Sequence, residues 1–179
     1  AHQRLKDSLI KAEKHVAKPP KWLTKNTKAK GAPGVPTIFL SDFHWGEVVD
    51  EQAVNGINKY DRDIALKRFK NVVETTIDLC TNHMVNPRYP GIICALGGDM
   101  ISGDIHDELA ENNDGTNIEH VLDLLDNMTW ALERFAKVFG KVFVPCTYGN
   151  HSRTYKQYRH KQAAKTNYDW MLYNLLARH

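Results

Sequence analysis

The sequence lacks any apolar stretch long enough to cross a membrane, and it contains few cysteines. A bilayer-spanning helix needs roughly 20 mostly apolar residues, and no run in the 179-residue chain approaches that length. The first residues also lack the apolar region of a secretory signal peptide. The three cysteines, Cys80, Cys94 and Cys146, are far apart and odd in number. We therefore expect reduced, buried thiols in a cytoplasmic protein with no membrane partner.

Lysine and arginine are missing from the middle of the chain, although the formal net charge is +3. Between Tyr89 and Glu133 there are ten acidic residues and no Lys or Arg. Residues 1–30 hold nine basic and two acidic residues, and residues 152–168 hold five basic and no acidic ones. Such basic patches attract nucleic acid or other polyanions. A solvated tail and a solvated helix face explain the same charges equally well.

Residues 1–36 differ in composition from the rest of the chain. Apolar residues at helical spacing predict a short basic helix over residues 1–16. The remainder of this segment is rich in Lys, Pro and Gly, which is typical of a linker, with Trp22 and Leu23 as candidate anchors. We therefore divide the chain into a basic helix and linker at 1–36 and one domain at 37–179.

Strands and helices are predicted to alternate within the domain. Continuously apolar runs, which predict strands buried on both faces, occupy residues 37–42, 91–99 and 141–150. Helical periodicity occupies residues 61–83, 116–139 and 158–179. The second helix is expected to end at Gly140 and to bury Ile118, Val121, Leu122, Leu125, Met128, Leu132 and Phe135. This order predicts a layered α/β fold with parallel strands and right-handed crossovers.

Each predicted strand ends in polar residues. Asp42 and His44 follow the first strand, Asp99 follows the second, and Asn150 and His151 follow the third. Because the carboxyl ends of parallel strands share one edge of a sheet, these side chains should converge there. Taken singly, each cluster has a simpler explanation, since Asp caps strand ends and Asn is common in turns.

A metal site explains the convergence better than packing does. Two carboxylates that are brought together repel each other unless a cation lies between them. A mixture of carboxylate and amide oxygens with an imidazole nitrogen suits Mn, Fe, Zn or Ni. Glycines beside Asp99 and Asn150 allow the backbone to approach closely.

The three clusters resemble the motifs of the calcineurin-like metallophosphoesterases. That family has D-x-H, G-D and G-N-H, each after a strand, and this chain has Asp42-Phe43-His44, Gly98-Asp99 and Gly149-Asn150-His151. The resemblance covers about residues 37–151. It implies a layered α-β-β-α sandwich, of which this chain holds mainly the first parallel β-α-β-α-β-α half.

The resemblance also implies a site with two divalent metal ions. Asp42 and His44 would bind the first ion, Asp99 would bridge both, and Asn150 would bind the second. His151 would lie near the scissile phosphate and protonate the leaving oxygen. Paired cations on the order of 4 Å apart clamp a phosphoryl oxygen and lower the pKa of an attacking water.

The chain departs from this family in three respects. It has no later lone His followed by G-H-x-H, so we expect the remaining metal ligands beyond residue 179 and weak metal binding by this portion alone. No acid–Arg pair follows Gly98-Asp99, which favours a phosphodiesterase or nuclease branch over the Ser/Thr protein phosphatases. Ser152 stands where the family often has an acid, which leaves the orienting partner of His151 open, with Asp104 as one candidate.

Three further residues are predicted to contact the substrate. Arg153 is a candidate phosphate contact, and Trp45 and His106 follow the first two motifs. The alternatives are a solvated loop for Trp45 and a polar helix start for His106. Residues 155–161, YKQYRHK, interleave tyrosines with basic residues, which suits either base stacking with phosphate neutralisation or an exposed amphipathic helix.

The sequence therefore predicts metal-dependent hydrolysis of a phosphoester, preferentially a phosphodiester, with DNA and RNA among the candidate substrates. Two alternatives stay open. One is a non-catalytic module with the same fold that binds nucleic acid or a protein partner, and the other is a phosphomonoesterase. Substitution of a metal ligand distinguishes the phosphodiesterase from the non-catalytic binding module. A comparison of monoesters with diesters as substrates distinguishes the phosphodiesterase from the phosphomonoesterase.

Overall fold

The structure is a computed structural model that describes residues 18–24, 34–85 and 87–179. The predicted helix over residues 1–16 lies outside them. The elements in chain order are α1 (Lys21–Thr24), β1 (Thr37–Leu40), α2 (Arg62–Asn82), β2 (Ile92–Leu96), α3 (Asp107–Asn112), α4 (Asn117–Phe139), β3 (Val142–Phe143), a 3₁₀ helix (Ala164–Thr166) and α5 (Tyr168–Leu176). None of the helices in these ranges is long and apolar enough to cross a bilayer.

The three strands form one parallel sheet in the order β1-β2-β3. Ile38 lies opposite Cys94, and Ile93 lies opposite Phe143. Helices connect successive strands, as parallel pairing requires. The predicted α/β class with a parallel sheet is thus confirmed.

The strands are not buried on both faces, which corrects the prediction made from their apolar runs. Along β1 burial alternates, and Phe39 is 67% exposed while its neighbours Ile38 and Leu40 are buried. Burial also alternates along β2. One face of the sheet joins the core formed with α2 and α4, so the apolar residues of β1 on the opposite face lie open.

Strand β3 is much shorter than the predicted segment 141–150. Its pairing with β2 stops after Phe143 and resumes only as a single bridge between Leu96 and Cys146, in the same register. Pro145 lies between these pairs, and proline has no N–H to donate to a ladder. Its carbonyl still accepts a hydrogen bond from the Leu96 N–H at 2.9 Å.

Helices α2 and α4 lie where the sequence predicts them, because both have strong caps. The Asp61 carboxylate accepts a hydrogen bond from the Ile64 N–H at 2.8 Å and begins α2. Thr116 and Glu119 form a reciprocal capping box at the start of α4. Gly140 ends α4 with a φ of 74°, a conformation that favours glycine.

The buried face of α4 differs from the predicted one. Ile118 and Leu122 are 59% and 53% exposed, whereas the fully buried His120 faces the interior. A Cβ built on Gly46 would lie 2.1 Å from the His120 ring, so the imidazole occupies the space that this glycine leaves. An assignment from apolar residues alone cannot find a face that contains a buried histidine.

The third predicted helix begins ten residues late, at Tyr168 rather than Tyr158. Gln162 has a φ of 64°, a left-handed conformation that cannot continue a right-handed helix. Asn167 then caps α5 by accepting a hydrogen bond from the Trp170 N–H at 3.2 Å. The structure also contains the short helix α3, which lies outside the segments predicted to be helical.

The structure also describes the predicted anchor Trp22 and the three cysteines. The Trp22 ring lies against Gly91, where an added Cβ would be 2.7 Å from it, which supports its assignment as an anchor. Cys80 and Cys94 are buried free thiols as expected, whereas Cys146 is exposed.

Candidate metal centre

The loops that follow β1 and β2 continue side by side beyond the ends of the strands. The Asp42 N–H donates to the Gly98 carbonyl at 3.0 Å, and the His44 N–H donates to the Asp99 carbonyl at 3.2 Å. The two loops remain hydrogen-bonded at Trp45, whose N–H donates to the Met100 carbonyl. The D-x-H and G-D motifs are therefore adjacent, as the parallel sheet predicts.

The loop after β3 closes onto Asp99. The His151 N–H donates to the Asp99 carboxylate at 2.7 Å. A Cβ built on Gly149 would lie 2.0 Å from Asp99 Oδ1 and 2.3 Å from its backbone nitrogen, so only glycine allows this approach. All three predicted clusters thus meet at the carboxyl edge of the sheet.

Backbone conformations with positive φ concentrate at the predicted ligands. Among the described residues other than glycine, five have positive φ, and three of them are Asp42 (57°), His44 (46°) and Asp99 (49°). This region is sparsely populated by residues that carry a Cβ. Such conformations cost of order 1–3 kcal/mol each, persist where surrounding contacts impose them, and cluster at functional sites.

The His151 imidazole lies beside the His44 ring and has a defined orientation. Its ring centroid is 4.5 Å from that of His44, and its Nδ1 lies 3.3 Å from the Ser102 carbonyl oxygen. Because a carbonyl only accepts hydrogen bonds, Nδ1 carries the proton in this contact. Nε2 is then the nitrogen that exchanges a proton with a bound molecule. Ser102, rather than the candidate Asp104, is the orienting partner.

A buried carboxylate that the sequence prediction missed joins the two glycine-containing loops. Asp169, in the first turn of α5, is 1% exposed. One of its oxygens accepts hydrogen bonds from the N–H groups of Asp99 and Gly149, each at 2.9 Å. The other accepts from the Met100 N–H at 3.1 Å and from the Ser152 hydroxyl.

The Asp169 carboxylate therefore holds the G-D and G-N-H motifs in one arrangement. Burial raises its pKa, while the hydrogen bonds from Ser152 and the backbone oppose that rise. From the sequence, Asp169 is an ordinary acid in the middle of the helix predicted over residues 158–179, with nothing to indicate its burial.

A second polar network packs against the loop that carries the first motif. The buried His120 ring contacts Gly46, and its Nε2 lies 2.9 Å from the Asp114 carboxylate. Arg62 on α2 binds the same carboxylate through two hydrogen bonds at 2.6 and 2.9 Å. Although burial alone would raise it, these hydrogen bonds lower the pKa of Asp114. His120 thus has a structural role in supporting the loop that carries the first motif.

The residues predicted to bind substrate have different environments. Trp45 is 1% exposed and its Nε1 donates to Asp123 at 2.8 Å, so it belongs to the core; this corrects the expectation that it contacts substrate. His106 is exposed, and its ring centroid is 5.8 Å from that of His151. Arg153 donates to the carbonyls of Tyr155 and Lys156 in its own loop.

Asn150 is exposed between Gly149 and His151, the two residues that contact Asp99. It lines a small depression together with Arg153 and Tyr155. Asp42 and His44 line a separate, open cavity of about 330 Å³ with Tyr60 and Arg68. The centre is therefore open to solvent at both of these depressions.

The side chains at this edge provide carboxylate, imidazole and amide donors. These donor types suit the implied metal ions, Mn, Fe, Zn or Ni. Across residues 18–24, 34–85 and 87–179, no three His, Cys, Asp or Glu side chains form a group that could hold a metal ion. Asp42, His44 and Asp99 are residues of these types, so their side chains do not form such a group in this structure. The two divalent ions stay a prediction.

Comparison with known proteins returned no matching family model, no matching curated protein and no matching solved structure. The resemblance to the metallophosphoesterases is therefore carried by the three short motifs alone. The structure adds their convergence at one edge of a parallel sheet.

Proposed function

We propose that the protein is a metal-dependent phosphoesterase that hydrolyses phosphodiesters. The observation that carries this proposal is the set of left-handed residues Asp42, His44 and Asp99 at the carboxyl ends of β1 and β2. Strained ligands at such an edge, with an oriented imidazole beside them, are typical of an active site. The order and spacing of the motifs add phosphoester hydrolysis as the reaction class.

In this proposal Asp42 and His44 hold one divalent ion, Asn150 holds a second, and Asp99 bridges the two. When bound, the ions would supply Lewis acidity toward the phosphoryl oxygens and a lower pKa for an attacking water. The hydrogen bond from the His151 N–H to Asp99 restricts that carboxylate to one orientation. Asp169 restricts the backbone on both sides of it.

His151 is the proton donor to the leaving oxygen in this account. Its Nδ1 is occupied by the Ser102 carbonyl, so Nε2 is the nitrogen available to a substrate. An oriented histidine is the side chain best suited to proton transfer near neutral pH. His106, whose ring lies 5.8 Å from that of His151, would contact the substrate from the side of α3, and Arg153 would contact a phosphate oxygen.

The proposal includes the α-β-β-α sandwich that accompanies these motifs. The exposed Phe39 marks the open face of β1. This is the face on which a second sheet would pack in that architecture. The described α/β unit would then be one half of the sandwich.

Replacing Asp42 with Asn is expected to lower kcat/KM for bis(p-nitrophenyl) phosphate by at least about 100-fold, because the amide cannot supply the ligand charge. Initial rates are measured in Mn²⁺ for this diester and, in parallel, for the monoester p-nitrophenyl phosphate. Asp50→Asn, in an exposed loop, is the matched control and should leave the rates unchanged.

Each other outcome of this experiment assigns a different function. Faster hydrolysis of the monoester than of the diester would identify a phosphomonoesterase. Absence of hydrolysis for both esters, also with Fe, Zn and Ni, would contradict the proposal and favour the non-catalytic binding module. Equal loss in Asp42→Asn and Asp50→Asn would show that the activity does not come from this centre.

A further inference from the structure

Two pairs of tyrosine and arginine adjoin the candidate centre through different predicted ligands. The guanidinium carbon of Arg68 lies 5.5 Å from the Tyr60 ring centroid, and this pair shares the cavity that contains Asp42 and His44. The guanidinium carbon of Arg159 lies 4.1 Å from the Tyr155 ring centroid. That second pair shares the depression that contains Asn150.

Three of the four side chains in these pairs are exposed, whereas Tyr60 is half-buried and its hydroxyl donates to the Phe43 carbonyl at 2.6 Å. Arg68 and Arg159 are exposed, and the Tyr155 ring is 42% exposed. Tyr158, which is 55% exposed, lines the same depression as Tyr155. Two exposed tyrosine rings in one depression provide an aromatic surface on which a flat, unsaturated group can stack.

The charge around the second pair fits a polyanion. Residues 152–168 carry five basic and no acidic residues. Lys156 is neutralised by an ion pair with Asp107 on α3, but Arg159 retains its charge above the Tyr155 ring. Guanidinium groups bind phosphate oxygens in a bidentate manner. Each pair therefore offers an aromatic face for a base and a cation for the adjoining phosphate.

We propose that the centre acts on single-stranded nucleic acid, with nucleotides on either side of the scissile phosphate bound at Tyr60–Arg68 and at Tyr155–Arg159. This inference rests on the proposed phosphodiesterase function. A monoester has a substituent on one side of its phosphate only and would leave one of the two pairs unused. A duplex stacks its bases internally, whereas single strands present base faces to aromatic side chains.

The test is the binding of a fluorescein-labelled oligothymidylate by fluorescence anisotropy, in a His151→Asn background that slows cleavage. Tyr155→Ala is expected to raise Kd about fivefold or more, because stacking on one aromatic side chain contributes that much affinity per base. Arg68→Gln is expected to raise Kd by a similar factor of about five, because it removes a guanidinium that binds phosphate. Tyr155→Phe keeps the ring and should stay within about twofold of the parent. Arg88→Gln, an exposed site before β2 at the opposite end of the strands, is the matched control for Arg68→Gln.

Three results would overturn the inference. One is a Kd within about twofold of the parent for both Tyr155→Ala and Arg68→Gln. Another is equally tight binding of a duplex of the same length. The third is equally effective competition by polyglutamate, which would assign general polyanion binding instead.

Failure of this inference and failure of the proposed function give different results. If bis(p-nitrophenyl) phosphate is hydrolysed but the oligonucleotide is not bound, only the substrate assignment fails. If Tyr155→Ala and Arg68→Gln weaken oligonucleotide binding but no ester is hydrolysed, the phosphodiesterase function fails and the single-strand surface stands.

Discussion

Replacing His151 with Asn is expected to lower kcat for phosphodiester hydrolysis by about 10²–10⁴-fold. The Asn side chain can still donate to the Ser102 carbonyl, which the His151 Nδ1 contacts in the structure. It cannot replace Nε2, the nitrogen that we assign to the leaving oxygen. The variant therefore keeps the orientation of the loop and removes only the proton donor.

The leaving group provides a sharper measurement than the rate alone. A p-nitrophenolate ion leaves without a proton, whereas an alkoxide requires one. The loss in His151→Asn should therefore be much larger for an alkyl phosphodiester than for bis(p-nitrophenyl) phosphate. His83→Asn, an exposed position at the end of α2, is the control. An equal loss for both substrates, or a loss below about tenfold, would contradict the role of His151 as the proton donor.

Replacing Asp169 with Ala is expected to lower the free energy of unfolding by at least about 3 kcal/mol, because buried donors left unsatisfied cost about 1–3 kcal/mol each. The carboxylate accepts hydrogen bonds from three backbone N–H groups and one hydroxyl. Asp169→Asn retains the size of the side chain but directs an NH₂ group at donors, so it should lose most of the same stability.

Urea unfolding followed by circular dichroism measures this effect. Asp63→Asn is the matched control, since Asp63 is also an acid in the first turn of a helix but is exposed. It should change stability by less than about 0.5 kcal/mol. Ser152→Ala removes one donor and should cost less than Asp169→Ala. A similar small effect for Asp169→Asn and Asp63→Asn would show that the buried carboxylate does not join the two motifs.

Local signals in the sequence were sufficient to predict the elements that position the site. The capping box at Thr116 and the glycine at position 140 define α4 by chemistry that acts within a few residues. The apolar runs identified β1 and β2, and their parallel pairing was predicted from the alternation with helices. The meeting of the three motifs followed from that topology alone.

Several of the errors depend on contacts between residues far apart in the chain. Ile118 and Leu122 are exposed whereas His120 is buried against Gly46, a contact that helical periodicity does not contain. Trp45 follows the first motif in sequence but packs in the core and donates to Asp123 on α4. Asp169 is 70 residues from Asp99, to which it is hydrogen-bonded, and no local pattern distinguishes it from a surface acid.

The central claim is that Asp42, His44, Asp99 and Asn150 form a metal centre, and the most direct test is elemental analysis of the purified chain. We predict bound Mn, Fe, Zn or Ni in the wild-type protein and a sharp decrease in Asp99→Asn, because Asp99 is the proposed bridge. Circular dichroism of both proteins establishes that the variant is folded. Transition-metal content that is equal in wild type and folded Asp99→Asn, or absent from both after incubation with each ion, would contradict the account.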